Sequence, residues 1–351
     1  MDLRNRDVMK ALDPLGMLEL IEDFPNQCRR ALEIAQAVQL EPLASRPNAV
    51  VLCGMGGSAA GGDFVKALFE AQSDIPFSVV REYDLPGYVG AGSLVFIASY
   101  SGNTEETLSA YAQTIARGAS VIVVSSGGQA TEWANRHGHP VITVPGGQPP
   151  RSALGYMMVP VIVACVALGL LPAQPFDAAF AGLDRVSAAL GLTGDDPFAR
   201  ELAGAMHGRI GLAYGLGGYR SAIANRWRCQ FNENAKYLLF VNGYPELCHN
   251  EIMGWVAANL QADRYAGVLL TDGQEPLRMK VRAEVTEQVI GTELVPFTRA
   301  EAIGDTLLER MLSLTYIGDW VSIYLARLNG VDPTQIANID TLKDALAKLP
   351  S

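Results

Sequence analysis

Positive charge is in short supply: 27 lysines and arginines face 37 aspartates and glutamates, a formal balance of −10. Such a surface repels nucleic acid, so an anionic ligand has to be held by a local field. Cysteine is sparse as well. Cys28, Cys53, Cys165, Cys229 and Cys248 are odd in number and widely spaced. That excludes a disulfide framework and fits reduced thiols in a cytoplasmic protein. The first ten residues are charged and lack an apolar core, so no signal peptide is expected there. Only residues 154–171 approach a membrane span; Pro160 lies inside them, and a buried helix is the expectation. Metal ligands are equally thin. His137-Gly138-His139 runs into Pro140 with no Cys or Glu to complete a site, so no metal and no other cofactor is expected.

What the chain does have is glycine, 35 of them, clustered where apolar runs end. Residues 48–53, 77–80, 93–98, 119–124 and 140–144 read as strands, with helices over 59–70 and 104–117. Continuous apolar strands alternating with helices define a parallel sheet covered on both faces. The pattern then recurs. Residues 209–214 lead into Gly215-Leu216-Gly217-Gly218-Tyr219, as 48–53 lead into Gly54-Met55-Gly56-Gly57-Ser58. Residues 266–270 and a stretch near Glu293-Leu294-Val295-Pro296 supply later strands; 305–328 reads as a helix, and 332–349 closes the chain as a turn and a short helix. The fold class is α/β, with two doubly wound domains related by duplication. Residues 1–180, with a helical segment over 7–38 broken near Pro25, form the first, and 181–351 the second.

The loop Ser99-Tyr100-Ser101-Gly102-Asn103-Thr104 lies between a buried strand and a helix. Its hydroxyls and the N–H groups of a helix start can donate to phosphate oxygens, and the helix dipole favours an anion. Gly102 and Asn103 tolerate the left-handed backbone of a tight turn. Gly57 and Ser58, on the earlier turn, can close the site from the other side. A simple helix cap by Thr104 or Ser101 would account for one hydroxyl, not three. Gly54-x-Gly56-x-x-Ala59 with Glu82 fits a loose dinucleotide fingerprint, which leaves the hydroxyl loop unexplained. In the second copy Tyr219 replaces Ser58, and Thr271-Asp272-Gly273 replaces the hydroxyl loop. Asp272 repels phosphate, so one phosphate site per chain is expected, in the first domain.

Ser99-Tyr-Ser-Gly-Asn-Thr-Glu-Glu-Thr107 resembles the signature of the sugar isomerase (SIS) domain. Met55-Gly-Gly-Ser58, Pro150-Arg151, Phe231-Asn-Glu-Asn-Ala-Lys236, His249-Asn250-Glu251, Gly254-Trp255, Asp332-Pro333 and Leu342-Lys343 narrow the likeness. They resemble the bifunctional phosphoglucose/phosphomannose isomerases of archaea and some bacteria. The resemblance implies two SIS-type, flavodoxin-like domains and a phosphosugar substrate. It also implies phosphate contacts at Gly57, Ser58, Ser99, Ser101, Thr104 and Arg151. The implied catalytic base is Glu233, and the ring-opening groups are His249 and Lys343. His249 is implied to reach the site from the partner subunit of a homodimer. The implied reaction converts glucose 6-phosphate and mannose 6-phosphate to fructose 6-phosphate, with no cofactor.

The residues themselves are suited to that chemistry. Moving a proton between C1 and C2 through a cis-enediol needs one base, and a carboxylate serves if its environment tunes it. Glu233 stands between Asn232 and Asn234, which can orient it without adding charge; a surface glutamate in a polar turn is the plain alternative. His249 is of the residue type suited to one of the ring-opening proton transfers. Lys343 has only the resemblance to distinguish it from a solvated lysine. Thr334 and Gln335 stand near the C-terminal segment where the family places a small hydroxyl residue that tunes C2 specificity. A non-catalytic phosphosugar sensor would share the loop, but it would usually carry a basic DNA-binding module, which this chain lacks. A glucosamine-phosphate synthase would need a glutamine-hydrolysing domain with an N-terminal cysteine, also lacking.

Overall fold

A computed structural model describes residues 2–291, 294–346 and 348. The chain opens with three short helices, α1 (Arg6–Lys10), α2 (Met17–Glu22) and α3 (Phe24–Gln36). The break in this segment comes before Pro25, across residues 11–16, where Asp13 caps α2 by accepting from the N–H groups of Met17 and Leu18 at 2.8 and 2.7 Å. Pro25 sits in the first turn of α3, where a missing N–H costs nothing.

The first sheet follows. Its elements are β1 (Ala49–Cys53), α4 (Gly56–Gln72), β2 (Phe77–Val80), β3 (Ser93–Ala98), α5 (Glu105–Ala116), β4 (Ser120–Ser125), α6 (Gly128–His137) and β5 (Val141–Thr143). All five strands are parallel, in the order β2-β1-β3-β4-β5, the flavodoxin-like winding. Every residue of β1 and β3 is buried, which is why both read as unbroken apolar runs. A short 3-10 turn, Pro150–Ser152, leads to α7 (Leu154–Ala167). This helix is apolar on all sides and packs on α3 and α4. Among the described residues, no helix is long and apolar enough to cross a membrane.

After α8 (Phe176–Leu190) and α9 (Phe198–Met206) the winding repeats. The elements are β6 (Ile210–Gly215), α10 (Tyr219–Ala235), β7 (Leu239–Gly243), α11 (Trp255–Ala258), β8 (Tyr265–Thr271), α12 (Leu277–Ile290) and β9 (Phe297–Glu301), then α13 (Leu307–Leu328) and α14 (Ala337–Leu346). The order β7-β6-β8-β9, all parallel, repeats the first four positions of the other sheet. The last strand starts later than the sequence suggests. Pro296 precedes it, its carbonyl accepting from Gly267 N–H at 2.8 Å, and β9 begins at Phe297; Glu293 lies outside the described residues. β7 was not expected, although Tyr237-Leu238-Leu239-Phe240-Val241 is a continuous apolar run.

Two compact units result, each discontinuous in sequence. One comprises Asp23–Arg185 with Ala302–Ser313 and holds the first sheet. The other comprises Met1–Glu22, Val186–Glu301 and Leu314–Ser351 and holds the second. In the second unit α10 is fixed against α13 by buried polar contacts. Trp227 donates to the Leu314 carbonyl at 2.9 Å, Gln230 to Asp319 at 2.7 Å and Asn234 to the Ser322 hydroxyl at 3.0 Å. These spacings of three and four residues lie on one helix face and set the register of the helix whose last turn carries Glu233.

Candidate active site

The loop expected to hold phosphate is built on two helix starts. β3 delivers Ser99, 1% exposed, to the carboxyl edge of the sheet, and α5 begins six residues later. Thr104 is the N-cap residue of α5, yet its hydroxyl makes no cap bond; it lies 3.0 Å from the Ser99 hydroxyl. The neighbouring α4 begins at Gly56 after Met55, again without a side-chain cap. Tyr100 N–H donates to the Ser58 hydroxyl at 3.2 Å, which joins the two starts. Helix-start N–H groups left without side-chain caps, lined by serine and threonine hydroxyls, are a ready receptor for a phosphate.

Close approaches fix this shape. Gly102 has φ +71, and a Cβ there would lie 1.7 Å from the Gly127 carbonyl oxygen. The turn after β4 supports the loop from below: the Ser126 hydroxyl donates to the Tyr100 carbonyl at 2.6 Å, and Gln129 N–H to Asn103 Oδ1 at 3.0 Å. These supports, and the Tyr100 hydroxyl donating to the Pro145 carbonyl at 2.9 Å, were not foreseen. The signal was present in Ser125-Ser126-Gly127-Gly128, a second hydroxyl-glycine turn after a buried strand. Gly57 meets the 3-10 turn that bears Arg151, since a Cβ on it would lie 2.5 Å from the Pro150 carbonyl oxygen. Arg151 is only 2% exposed. Gly57, Ser58, Ser99, Ser101, Thr104 and Arg151 thus all belong to this one edge of the first unit.

The equivalent place in the second sheet is already filled. Cys53 pairs with Ile97 across β1 and β3, and Tyr214 with Leu269 across β6 and β8. Counting on, Asp272 is the counterpart of Tyr100, and Tyr219 the counterpart of Ser58. The Tyr219 hydroxyl donates to Asp272 at 2.6 Å. Arg220, its guanidinium over the Tyr219 ring at 4.7 Å, pairs with Asp272 and with Glu275 at 3.1 Å. Burial alone would raise the Asp272 pKa, but the bonds from Arg220 and Tyr219 outweigh it and hold the carboxyl below its ordinary range. A carboxylate occupies the position where the other copy offers hydroxyls and N–H groups.

Glu233 lies in the last turn of α10, partly buried. Asn232 accepts from Leu239 N–H at 3.2 Å, which ties this turn to the start of β7. Lys236 closes the helix with φ 50 and donates to the carbonyls of Glu233 and Asp332 at 2.8 and 2.6 Å. Glu233 therefore faces the segment before α14. Asn232, Glu233, Lys236 and residues 335–339 line a pocket of about 370 Å³. Lys343 sits on α14, four residues beyond Ile339 and seven beyond Ile336, on the helix face that those two share. Gln335 lines this pocket; Thr334 precedes it, its N–H donating to Asp332 at 2.7 Å.

His249 is elsewhere. It is exposed, in the 3-10 turn Glu246–His249 that leaves the carboxyl end of β7. Glu233 stands at the amino end of the same strand, whose five residues span about 13 Å. Within one chain the structure brings Glu233 to the α14 segment and sets His249 at the opposite edge of the sheet.

Two sheets of flavodoxin-like winding, one with a hydroxyl-lined cradle at helix starts, define a phosphosugar-binding SIS protein. The sequence matches the SIS domain family over residues 43–169, and the bacterial phospho-glucose isomerase C-terminal SIS domain family over 196–346. Solved structures share the fold. A hypothetical protein from Thermus thermophilus superposes with a TM-score of 0.76 over 98% of this chain and 93% of its own, at 17% identity. Tagatose-6-phosphate ketose/aldose isomerase from Escherichia coli does so with 0.69 over 90% and 93%, at 16% identity. Sequence relatives are nearer. The bifunctional phosphoglucose/phosphomannose isomerase of Caldicellulosiruptor bescii is 36% identical over 95% of this chain and 99% of its own. That of Aquifex aeolicus is 35% identical over 85% and 90%. The chain belongs to the bifunctional phosphoglucose/phosphomannose isomerase family.

Proposed function

We propose that the protein interconverts glucose 6-phosphate and mannose 6-phosphate with fructose 6-phosphate, holding the phosphate at Ser58, Ser99, Ser101, Thr104, Gly57 and Arg151. The observation that carries the reading is the joined pair of helix starts, neither capped by a side chain, beside a buried arginine. Family membership supplies the reaction class. Glu233 is the base: it takes the C2 proton of the open-chain aldose and returns it to C1 of the cis-enediol. His249 and Lys343 serve ring opening, one accepting the ring-closing hydroxyl proton and one protonating the ring oxygen. Both C2 epimers are served if the C1–C2 fragment rotates before reprotonation.

We infer a homodimer in which His249 works in the partner's site. Two apolar stripes beyond His249 support it. Met253, Val256 and Leu260 are 69, 69 and 85% exposed, and Leu277, Val281 and Val285 of α12 are 76, 46 and 47% exposed. Asn259, donating to the Val289 carbonyl at 2.7 Å, joins the two segments. Contiguous exposed apolar surface of this kind marks an interaction site. Five widely spaced cysteines, odd in number, fit a cytoplasmic location.

The test of the base is Glu233→Gln assayed with fructose 6-phosphate in heavy water. Turnover and deuterium incorporation should both fall by about 10³-fold, the usual worth of a general base. Incorporation at the wild-type rate would remove Glu233 from the mechanism.

A further inference from the structure

The geometry points to Glu251 as the residue that positions His249, so that ring opening depends on a carboxylate two residues from the histidine. The inference rests on the reading of His249 as a ring-opening group. Residues 244–264 leave β7 as a succession of 3-10 turns and one short helix, a segment with little repetitive hydrogen bonding of its own. Two apolar anchors hold it, Leu247 and Trp255, 1 and 4% exposed. His249 lies between them, exposed, directly after Cys248, which packs on the same core cluster.

Glu251 adds a polar tether to this segment. Its carboxylate accepts from the Tyr214 hydroxyl and from Asn242 Nδ2, both at 2.5 Å. Tyr214 is on β6 and Asn242 on β7, and the two residues pair in register. The carboxylate therefore bridges adjacent strands at the carboxyl edge of the sheet. Asn250 completes the tether. Its Oδ1 accepts from Glu251 N–H and its Nδ2 donates to Glu246, each at 2.7 Å. Residues 246, 250 and 251 thus hold the turn on both sides of His249. Burial first, and then the bond to Glu251, push the Tyr214 hydroxyl pKa up, so it remains a donor through the neutral range.

A carboxylate suits this place better than its amide. Two donors converge on two oxygens, and in a glutamine one oxygen becomes an NH2 group that meets a donor. Charge-assisted bonds of this kind are also the stronger ones.

The test compares fructose 6-phosphate with 5-deoxyfructose 6-phosphate, which has no 5-hydroxyl and cannot close its ring. Glu251→Gln should lower the ratio of kcat/KM for the cyclising substrate to that for the acyclic one by about tenfold, the rate equivalent of one such bond. Tyr214→Phe, a milder change that keeps the ring packed, should lower the ratio in the same direction by a smaller factor. Equal slowing of both substrates, or of neither, would mean that Glu251 merely stabilises the fold and would overturn the inference. His249→Ala separates the two levels. If it leaves the ratio unchanged, the ring-opening role of His249 falls and the inference with it. If it lowers the ratio while Glu251→Gln and Tyr214→Phe do not, only the inference falls.

Discussion

Gly57→Ala is the sharpest probe of the phosphate cradle, because the added methyl has a known neighbour. Its carbon would lie 2.5 Å from the Pro150 carbonyl oxygen, 3.0 Å from the Pro150 carbonyl carbon and 3.3 Å from the Arg151 Cα. An ordinary carbon–oxygen approach is about 3.3 Å, so something must move by roughly 0.8 Å. The start of α4 is held by its own helix bonds. The 3-10 turn is held by Ser152 N–H on the Pro149 carbonyl at 2.9 Å and Ala153 N–H on that of Pro150 at 3.2 Å. Relief comes by displacing this turn, and Arg151 with it. Overpacking of this sort costs about 1–3 kcal/mol, or a fall in Tm of several degrees. If Arg151 holds the phosphate, losing its alignment should raise KM about 10-fold to 100-fold, with a smaller change in kcat. Gly56→Ala is the control. It has φ +48 and nothing within 4 Å of an added Cβ, so it carries backbone strain of about 1–2 kcal/mol and no displacement of Arg151. Steady-state kinetics with fructose 6-phosphate and calorimetric melting read both variants. A Gly57→Ala enzyme with wild-type KM and Tm, or a Gly56→Ala enzyme with the same rise in KM, would refute the reasoning.

Two further outcomes are expected. Asp272→Asn should destabilise the second unit by about 3 kcal/mol at neutral pH, since it strips one partner from Arg220 in a cluster whose carboxylates are 2% exposed. The Asp272 pKa is lowered on folding, so its contribution is full above the unfolded value near 3.9 and disappears as pH falls through the folded value. Urea midpoints of wild type and variant should therefore converge in acid; a gap that stays constant to pH 2 would contradict the ion-pair account. Mixing inactive Glu233→Gln and His249→Ala chains should restore part of the activity, because one mixed site then carries both native groups. Full exchange of subunits, seen by mass, with no activity recovered would rule out a shared site.

The first sheet was nearly all legible in the sequence, and the reason is burial. Strands covered on both faces must be apolar throughout, as in β1 and β3, and no other element of five or six residues looks like that. The second sheet was less so. β7 and β9 are its edge strands: Leu239-Phe240-Val241-Asn242-Gly243 is only partly covered and ends on Asn242 and Gly243, and Phe297-Thr298-Arg299-Ala300-Glu301 buries Ala300 alone. The phosphate loop was readable as a loop, because glycine and hydroxyls after a buried strand have few other uses. Its inner bonding was not. Thr104 reads as a helix cap from sequence, and only the 3.0 Å contact with Ser99 shows its hydroxyl turned away from that role. For Glu233 the flanking asparagines suggested local orientation. They also act at longer range, Asn232 on β7 and Asn234 on α13, through contacts 7 and 88 residues away that no local pattern encodes.

Duplication also explains why the proposed assignment needs two chains. An open parallel sheet offers its ligand site at the carboxyl edge, where we place the phosphate cradle of the first copy. In the second copy that position is closed by Tyr219, Arg220, Asp272 and Glu275, bonded to one another. Any chemistry contributed by the second copy must then come from other places on it. Glu233 is at the amino end of β7, tied there through Asn232 and the Leu239 N–H. His249 is beyond its carboxyl end, where Tyr244 N–H donates to the Gly215 carbonyl at 2.9 Å. The strand between them is rigidly paired in the sheet, so a loop movement cannot carry one to the other without breaking its ladder. If both act on one sugar, the histidine must come from a second copy, and the exposed apolar stripes that follow it are the surface on which we propose that such a copy rests.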